Sequence, residues 1–367
     1  KGTIGGDLIM AWVLTGIILL IYLINKWTLS KGYTNLSYRM EIENNVAEIG
    51  EKIQICSILE NNKFLTVPFL EVNEKFPKRF NMVANRYTIF IMPYQRVKRG
   101  YKIIGEKRGL YNIENVDFDL GDFIGFKFKN KYTKIKKEIV VLPEKLDLQE
   151  EIAPIGSLNG DISVKRWIID DPLMTIGIRE YTGNEPERYI HWGSSMKYNK
   201  LMVKNFDFTT DNSVLVVLNT ETMKPSWQPI EEDLIEKCIS IARGVMEELE
   251  SEKIPYGFAT NAHNDLSIYE KGYYYHTGLG EQHLENFIEI LGRLSYKVDT
   301  FFENTIRNIA KKQGNYTTVV IITPRILDTY IESINTLNKT VSRTVVISLE
   351  DEYLEKLHKD IIKYRSR

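Results

Sequence analysis

The chain of 367 residues has 48 lysines and arginines against 49 aspartates and glutamates, a formal net charge of −1. That balance excludes a protein drawn to nucleic acid by its overall charge, and 43% hydrophobic with 26% charged residues excludes a disordered chain. Cys56 and Cys238 are too few and too far apart for a disulfide framework.

The first element is apolar. Residues 8 to 24, LIMAWVLTGIILLIYLI, carry no charge, and at about 1.5 Å per residue they approach the span of a ~30 Å hydrocarbon core. Trp12 and Trp27, with Lys26 and Lys31, supply interface-type anchors. A signal-peptide core is shorter and ends at a small-residue cleavage site, which does not follow here. Residues 1–35 are therefore expected to be a membrane anchor in contact with lipid. Lys26, Lys31 and Arg39 place the bulk of the chain on the cytoplasmic side of the cell membrane. A second helix upstream of Lys1 would alter that topology.

From 36 to 145 short alternating runs such as YRMEIEN, KIQICSILEN, YTIFIMP and KKEIVVLP are separated by Asn, Gly and Pro turns. They predict an antiparallel β-sandwich. Two basic stretches, RVKRGYK (96–102) and KFKNKYTKIKK (127–137), read as lysines guarding exposed strands rather than as headgroup contacts.

A connecting segment over 146–212 leads into an α/β domain over 213–367. SVLVVLNT is a continuous apolar run suited to a strand buried on both faces. Leu234, Ile235, Cys238, Ile241, Ala242, Val245 and Leu249 then recur at helical spacing, as do Leu284, Phe287, Ile288, Leu291 and Leu294. YGFATNA, TTVVIITP and RTVVISLE read as further strands, and DEYLEKLHKDIIKY as a closing amphipathic helix. The fold class expected is multidomain, all-β plus α/β, with an open doubly wound sheet after the sandwich.

The first strand of that sheet runs into NTETMKPSWQP, which has no glycine for a phosphate loop. Asn219, Thr220, Glu221 and Thr222, with Thr260, Asn261 and Thr323 at later strand ends, bear oxygens but form no carboxylate cluster. No cofactor or metal is expected. None of the five histidines belongs to a nucleophile elbow or a metal-ligand pair. A hydrolase or transferase using His191 with Asp170 or Asp171 is the alternative to a binding function.

GIREYTGNEPERYIHW (177–192) sets Arg179 and Arg188 around a turn at Gly183 and Asn184, with Glu180, Glu185 and Glu187 between them. Guanidinium and carboxylate groups pair bidentately, so this loop can lock itself or clamp a partner's acidic group. Trp192 is expected to be largely buried, sealing the start of the sheet.

The stretch GIREYTGNEPERYIHWGSSMKYNKLMVKNFDF resembles the signature of the domain-of-unknown-function-58 family. Arg179, Tyr181, Gly183, Arg188, Ile190 and Trp192 occupy its positions, followed by Lys197, Leu201, Val203 and Lys204; Asn184 stands where the family usually has aspartate. RGLYNIENVDFDLGDFIGFKF looks like the family's sandwich segment. The resemblance implies a von Willebrand factor A-like domain that binds protein partners. It suggests an adaptor for a MoxR-type AAA+ ATPase and transglutaminase-like membrane proteins. Such domains often hold a metal at a D-x-S-x-S strand end, where this chain has Asn219, Glu221 and Met223.

If the orientation is as read, an impermeant thiol reagent applied to intact cells leaves a cysteine engineered into the exposed surface of residues 36–367 unlabelled. Labelling before lysis would reverse the topology.

Overall fold

The computed structural model describes residues 3–121, 128–154, 175–181, 190–206, 213–224, 230–264, 273–312 and 316–366. The chain divides into two compact units, Lys1–Glu144 and Lys145–Arg367.

The first unit opens with α1 (Thr3–Lys31). Among the described residues this is the one helix long and apolar enough to cross a membrane, over Met10–Lys31 with a mean hydropathy of 1.6. Eight strands follow: β1 (Leu36–Ile42), β2 (Val46–Ala47), β3 (Lys52–Asn61), β4 (Val67–Lys75), β5 (Ala84–Ile91), β6 (Arg96–Ile104), β7 (Gly109–Gly121) and β8 (Phe128–Val141). They form one sheet ordered β1-β3-β6 and another ordered β2-β8-β7-β4-β5. All pairings are antiparallel except β2 with β8. Period-two alternation sends Ile53, Ile55 and Leu59 of one sheet and Leu70, Val72, Val116 and Phe118 of the other into a shared core.

The helix joins the strands without a linker. Gly32 rests against Leu120 so closely that a Cβ would lie 2.2 Å from its Cδ2. The Tyr33 hydroxyl accepts from Leu120 N–H at 3.0 Å and faces the Phe118 carbonyl at 2.8 Å and that of Lys129. Burial pushes this phenol up to about 12, so it remains an O–H donor.

The same core encloses a carboxylate. Glu74 is fully buried, and its Oε1 accepts from Tyr38 Oη (2.9 Å), Ser57 Oγ (2.6 Å) and Tyr87 Oη (3.0 Å), while Oε2 accepts from Asn85 Nδ2 (3.0 Å). One side chain thus satisfies four donors from three strands, β1, β3 and β5.

The second unit contains α2 (Leu148–Glu151), β9 (Ile152–Pro154), β10 (Thr175–Glu180), α3 (Trp192–Tyr198), β11 (Met202–Phe206) and β12 (Val214–Leu218). Then come α4 (Glu232–Ser251), β13 (Tyr256–Thr260), β14 (Ala262–Asn264), β15 (Tyr273–Gly278), α5 (Glu281–Arg293) and β16 (Leu294–Val298). The last elements are α6 (Phe302–Lys312), β17 (Thr318–Thr323), α7 (Asp328–Asn338), β18 (Arg343–Ser348) and β19 (Ile362–Ser366). The main sheet is ordered β15-β13-β12-β17-β18-β19-β9. Its strands are parallel except β15 and β9, which run antiparallel at the two ends of that order.

Both faces are covered. Val214, Val216 and Leu218 pack with α4 and α5, while Leu215 and Val217 pack with α6 and α7. Gly244 of α4 lets the segment before β9 lie close, since a Cβ there would meet Leu148 Cδ2 at 3.1 Å and Leu146 O at 3.2 Å.

One expected element is different. DEYLEKLHKDIIKY is not a helix but a 3-10 turn at Leu354–Lys356 followed by β19. Leu354, Leu357 and Ile361 enter the core on the α7 side, whereas Tyr364 enters the core on the α4 side. A helix with one apolar stripe cannot fill two layers; an irregular segment that feeds one core, followed by a strand whose Ile362 and Tyr364 face the other, does.

Replacing Glu74 by alanine leaves several buried donors unpaired, each at about 1–3 kcal/mol. Urea unfolding of the detergent-solubilised chain is expected to show the first unit destabilised by about 3 kcal/mol or more. Glu74→Gln, which keeps the acceptor Oε1, is expected to lose less.

Candidate functional site

Open α/β sheets bind ligands outside the carboxyl ends of their strands, where the strand order reverses. Here that point lies between β12 and its neighbours β13 and β17, where the chain leaves β12 through Asn219. Asn219 is fully buried, and its Oδ1 accepts from Glu221 N–H (2.9 Å) and Asn261 Nδ2 (2.8 Å). Its Nδ2 donates to Thr323 Oγ1 at 2.9 Å, and that hydroxyl donates to the Arg325 carbonyl at 2.8 Å. Asn261 Oδ1 in turn accepts from Thr220 N–H at 2.9 Å.

Backbone N–H groups can only donate, so Glu221 and Thr220 fix which end of each amide is oxygen. The result is a directed chain that ties together the ends of β13, β12 and β17.

Glu221 lies beside this chain and is also buried. Its Oε2 accepts from Phe302 N–H at the start of α6 (3.1 Å) and from Tyr330 Oη of α7 (2.8 Å). Its Oε1 is buried and has no hydrogen-bond partner among the described residues. Burial raises the carboxyl pKa, against lowering by the Tyr330 and Phe302 hydrogen bonds and by the nearby Lys224 charge. Lys224 itself bridges Glu303 (2.7 and 2.6 Å) and Thr329 (3.0 Å), with its ammonium 5.3 Å from the Tyr330 ring centre.

These residues do not fit a hard divalent cation. Such ions gather several oxygens, usually with more than one carboxylate. The Asn219 oxygen is already occupied by two N–H groups and its other end is a donor. Met223 offers a soft thioether, and among the described residues no three His, Cys, Asp or Glu side chains converge.

The signature stretch has a different arrangement. Arg179 lies in β10, pairs with Val203 of β11 and is exposed; Tyr181 N–H donates to Leu201 O at 2.8 Å. Ile190 is buried and bridges to Val203, and His191 N–H donates to Met202 O at 2.8 Å. His191 then caps α3, its Nδ1 accepting from Ser194 N–H at 3.1 Å. Ser195 Oγ accepts from Met202 N–H at 2.9 Å and ties the short helix to β11. Gly183, Asn184 and Arg188 lie outside the described residues, as do Asp170 and Asp171. With its Nδ1 lone pair engaged, a neutral His191 carries its proton on Nε2 and presents a donor there rather than a base.

Trp192 corrects the sequence-based expectation. It is 63% exposed, not buried, and its neighbours on α3, Met196 and Tyr198, are 80% and 59% exposed. Ile190, two residues earlier, takes the core position instead. The short helix leaves its aromatic and thioether side chains exposed, and Leu201 and Ile178 of the same segment are exposed too.

No family model matches the chain, and no curated protein is similar to it. Among solved structures, the chain is similar to the CARDB domain of the PF1109 protein from Pyrococcus furiosus. The crystal structure of that domain, in complex with di-metal ions, is 13% identical with a TM-score of 0.22, covering 29% of this chain and 91% of that one. Its solution NMR structure is 12% identical with a TM-score of 0.22, covering 29% and 94%.

Asn219→Asp tests the directed chain. A carboxylate cannot donate to Thr323, so the variant is expected to be about 1–3 kcal/mol less stable at neutral pH. A protonated acid donates again, so the deficit should shrink as pH falls, read from thermal melts across pH. An unchanged melting temperature at neutral pH would show that the chain contributes nothing.

Proposed function

We propose that this chain is a non-enzymatic, membrane-anchored adaptor of the domain-of-unknown-function-58 kind. In this reading α1 spans the cell membrane, the bulk of the chain is cytoplasmic, and the second unit is a von Willebrand A-like domain. The partner class is a MoxR-type AAA+ ATPase, with transglutaminase-like membrane proteins as further candidates. The length and apolarity of α1 support the anchor. Within the main sheet the six strands from β12 onward are ordered 3-2-1-4-5-6 with the third reversed, which supports the A-like reading.

The observation that carries the proposal is the exposed face of α3 shared by Trp192 and Met196, with Tyr198 exposed on another side of the helix. Trp192, Met196 and Tyr198 stand exposed on a helix fixed at one end by the His191 cap and along its length by Ser195. Aromatic residues and methionine are enriched at protein interfaces, and tryptophan and tyrosine lead among residues that dominate binding energy. Holding them on a rigid element lowers the ordering cost of association. The carboxyl ends of the strands, closed by Asn219, Asn261 and Thr323, hold the α3-bearing domain together and take no part in binding.

The test is capture of the MoxR-type ATPase from the same cells by the purified full chain. Trp192→Ala with Met196→Ala is expected to weaken capture at least ~30-fold, as loss of a hot spot of about 2 kcal/mol does. The melting temperature should stay within about 2 °C, as expected of surface substitutions. EDTA should leave capture unchanged. A melting temperature that falls while capture persists would return Trp192 to a structural role and remove the proposal's support.

A further inference from the structure

Two loops of the first unit surround the point where α1 ends. Lys63 Nζ donates to the Gly32 carbonyl at 2.8 Å, and Asn62 N–H donates to Asn35 O at 2.8 Å. Tyr94 N–H reaches Lys63 O at 3.3 Å, and Asn61 Nδ2 holds both loops together through Leu65 O and Met92 O, each at 2.9 Å. From the tips of these loops Phe64, Met92 and Tyr94 project 79%, 58% and 70% exposed. Nothing in the strand pattern requires three large apolar side chains there.

The helix sets their height. Ile24 is the last residue of the uncharged run, and Gly32 lies eight residues later, about 12 Å along the axis. Headgroup layers are ~5–8 Å deep on each side of the hydrocarbon. Asn25 and Thr28 are buried on the helical face that continues to Gly32 and Leu120, so the helix is already packed one residue past the uncharged run. Loops bonded to Gly32 and Asn35 therefore stand about 4–7 Å outside the headgroup layer, within reach of a large side chain directed towards it.

Charge agrees with apolarity. Lys26 and Lys31 on the helix, and Lys131, whose ammonium lies 5.6 Å from the Tyr33 ring centre, ring the same exit. Aromatic side chains with lysines around one helix exit are what an interface with anionic lipid selects.

We propose that this rim is a second membrane contact. Phe64, Met92 and Tyr94 rest in the headgroup layer of the bilayer that holds α1, with the surrounding lysines on anionic lipid, so the β-rich body lies against the membrane. The inference depends on α1 being a membrane span. It also replaces, for the end of the basic 127–137 stretch nearest Tyr33, the reading of lysines as strand guards.

Depth measurements on the full chain in lipid nanodiscs test it. In a Cys56→Ala, Cys238→Ala background, nitroxide labels are placed at Phe64→Cys, Tyr94→Cys, Ile49→Cys and Leu14→Cys. Relaxation by oxygen and by a water-soluble nickel chelate then reports the depth of each label. Ile49 precedes β3, whose ten residues end at Asn61 beside the rim, so it is roughly 30 Å away. The expected result is Leu14 in the hydrocarbon, 64 and 94 at headgroup depth, and 49 in water. Adding phosphatidylglycerol to phosphatidylcholine should draw 64 and 94 deeper. Leu14 in the hydrocarbon with 64 and 94 as open to the chelate as 49 would overturn the inference while leaving the anchor intact. Shielding of 64 and 94 only after a protein partner is added would overturn it in favour of a protein interface. Leu14 outside the lipid would remove both readings. Melting temperatures of the labelled chains confirm that each is folded.

Discussion

The second unit depends on one line of hydrogen bonds, from Thr220 N–H through Asn261 and Asn219 to Thr323 and the Arg325 carbonyl. Each side-chain amide in the line both donates and accepts, so neither can flip without stranding a partner. Three parallel strands otherwise joined only by their ladders are locked at one end. Glu221 extends the lock to the helices, holding the first turn of α6 and the Tyr330 ring of α7.

That closure accounts for where function can reside. The strand ends that usually receive a ligand in this architecture are filled by their own amides. The Asn219 and Asn261 groups that a ligand would meet are paired with one another, with Thr323 and with neighbouring backbone, which leaves Glu221 Oε1 without a partner beside them among the described residues. The exposed groups that the proposed function uses lie on α3, outside the main sheet, between the paired strands β10 and β11. In that proposal scaffold and contact surface are separated, so a contact residue can change without touching the core.

Much of the architecture was legible. Continuous apolar runs became the central strands β12, β17 and β18, and the 3.6-residue stripes became α4 and α5. The oxygen-bearing residues at the strand ends were visible as Asn219, Asn261 and Thr323. Their partnership was not, because those residues are separated by 42 and 104 positions and meet only through the sheet order. Trp192 was misread because a seven-residue helix is too short to display a periodic face, and tryptophan next to a strand suggests burial. The signal that could have corrected it is the neighbouring Ile190, a β-branched residue better suited to the inward strand position. At the C-terminus the stripe of Leu354, Leu357 and Ile361 satisfied helical spacing, although those residues follow an irregular path.

The edge of the main sheet has a consequence for how the second unit is made. β9 is synthesised near its beginning, yet its partner is β19, with Pro154 opposite Tyr364 and Ile152 opposite Ser366. More than half the chain's length separates the two. Until β19 leaves the ribosome, β9 has no strand partner and β18 presents an open edge. A long-range pairing of this kind makes sheet closure a late event in the folding of this unit, and the nascent unit is most exposed to unwanted strand pairing just before β19 is made.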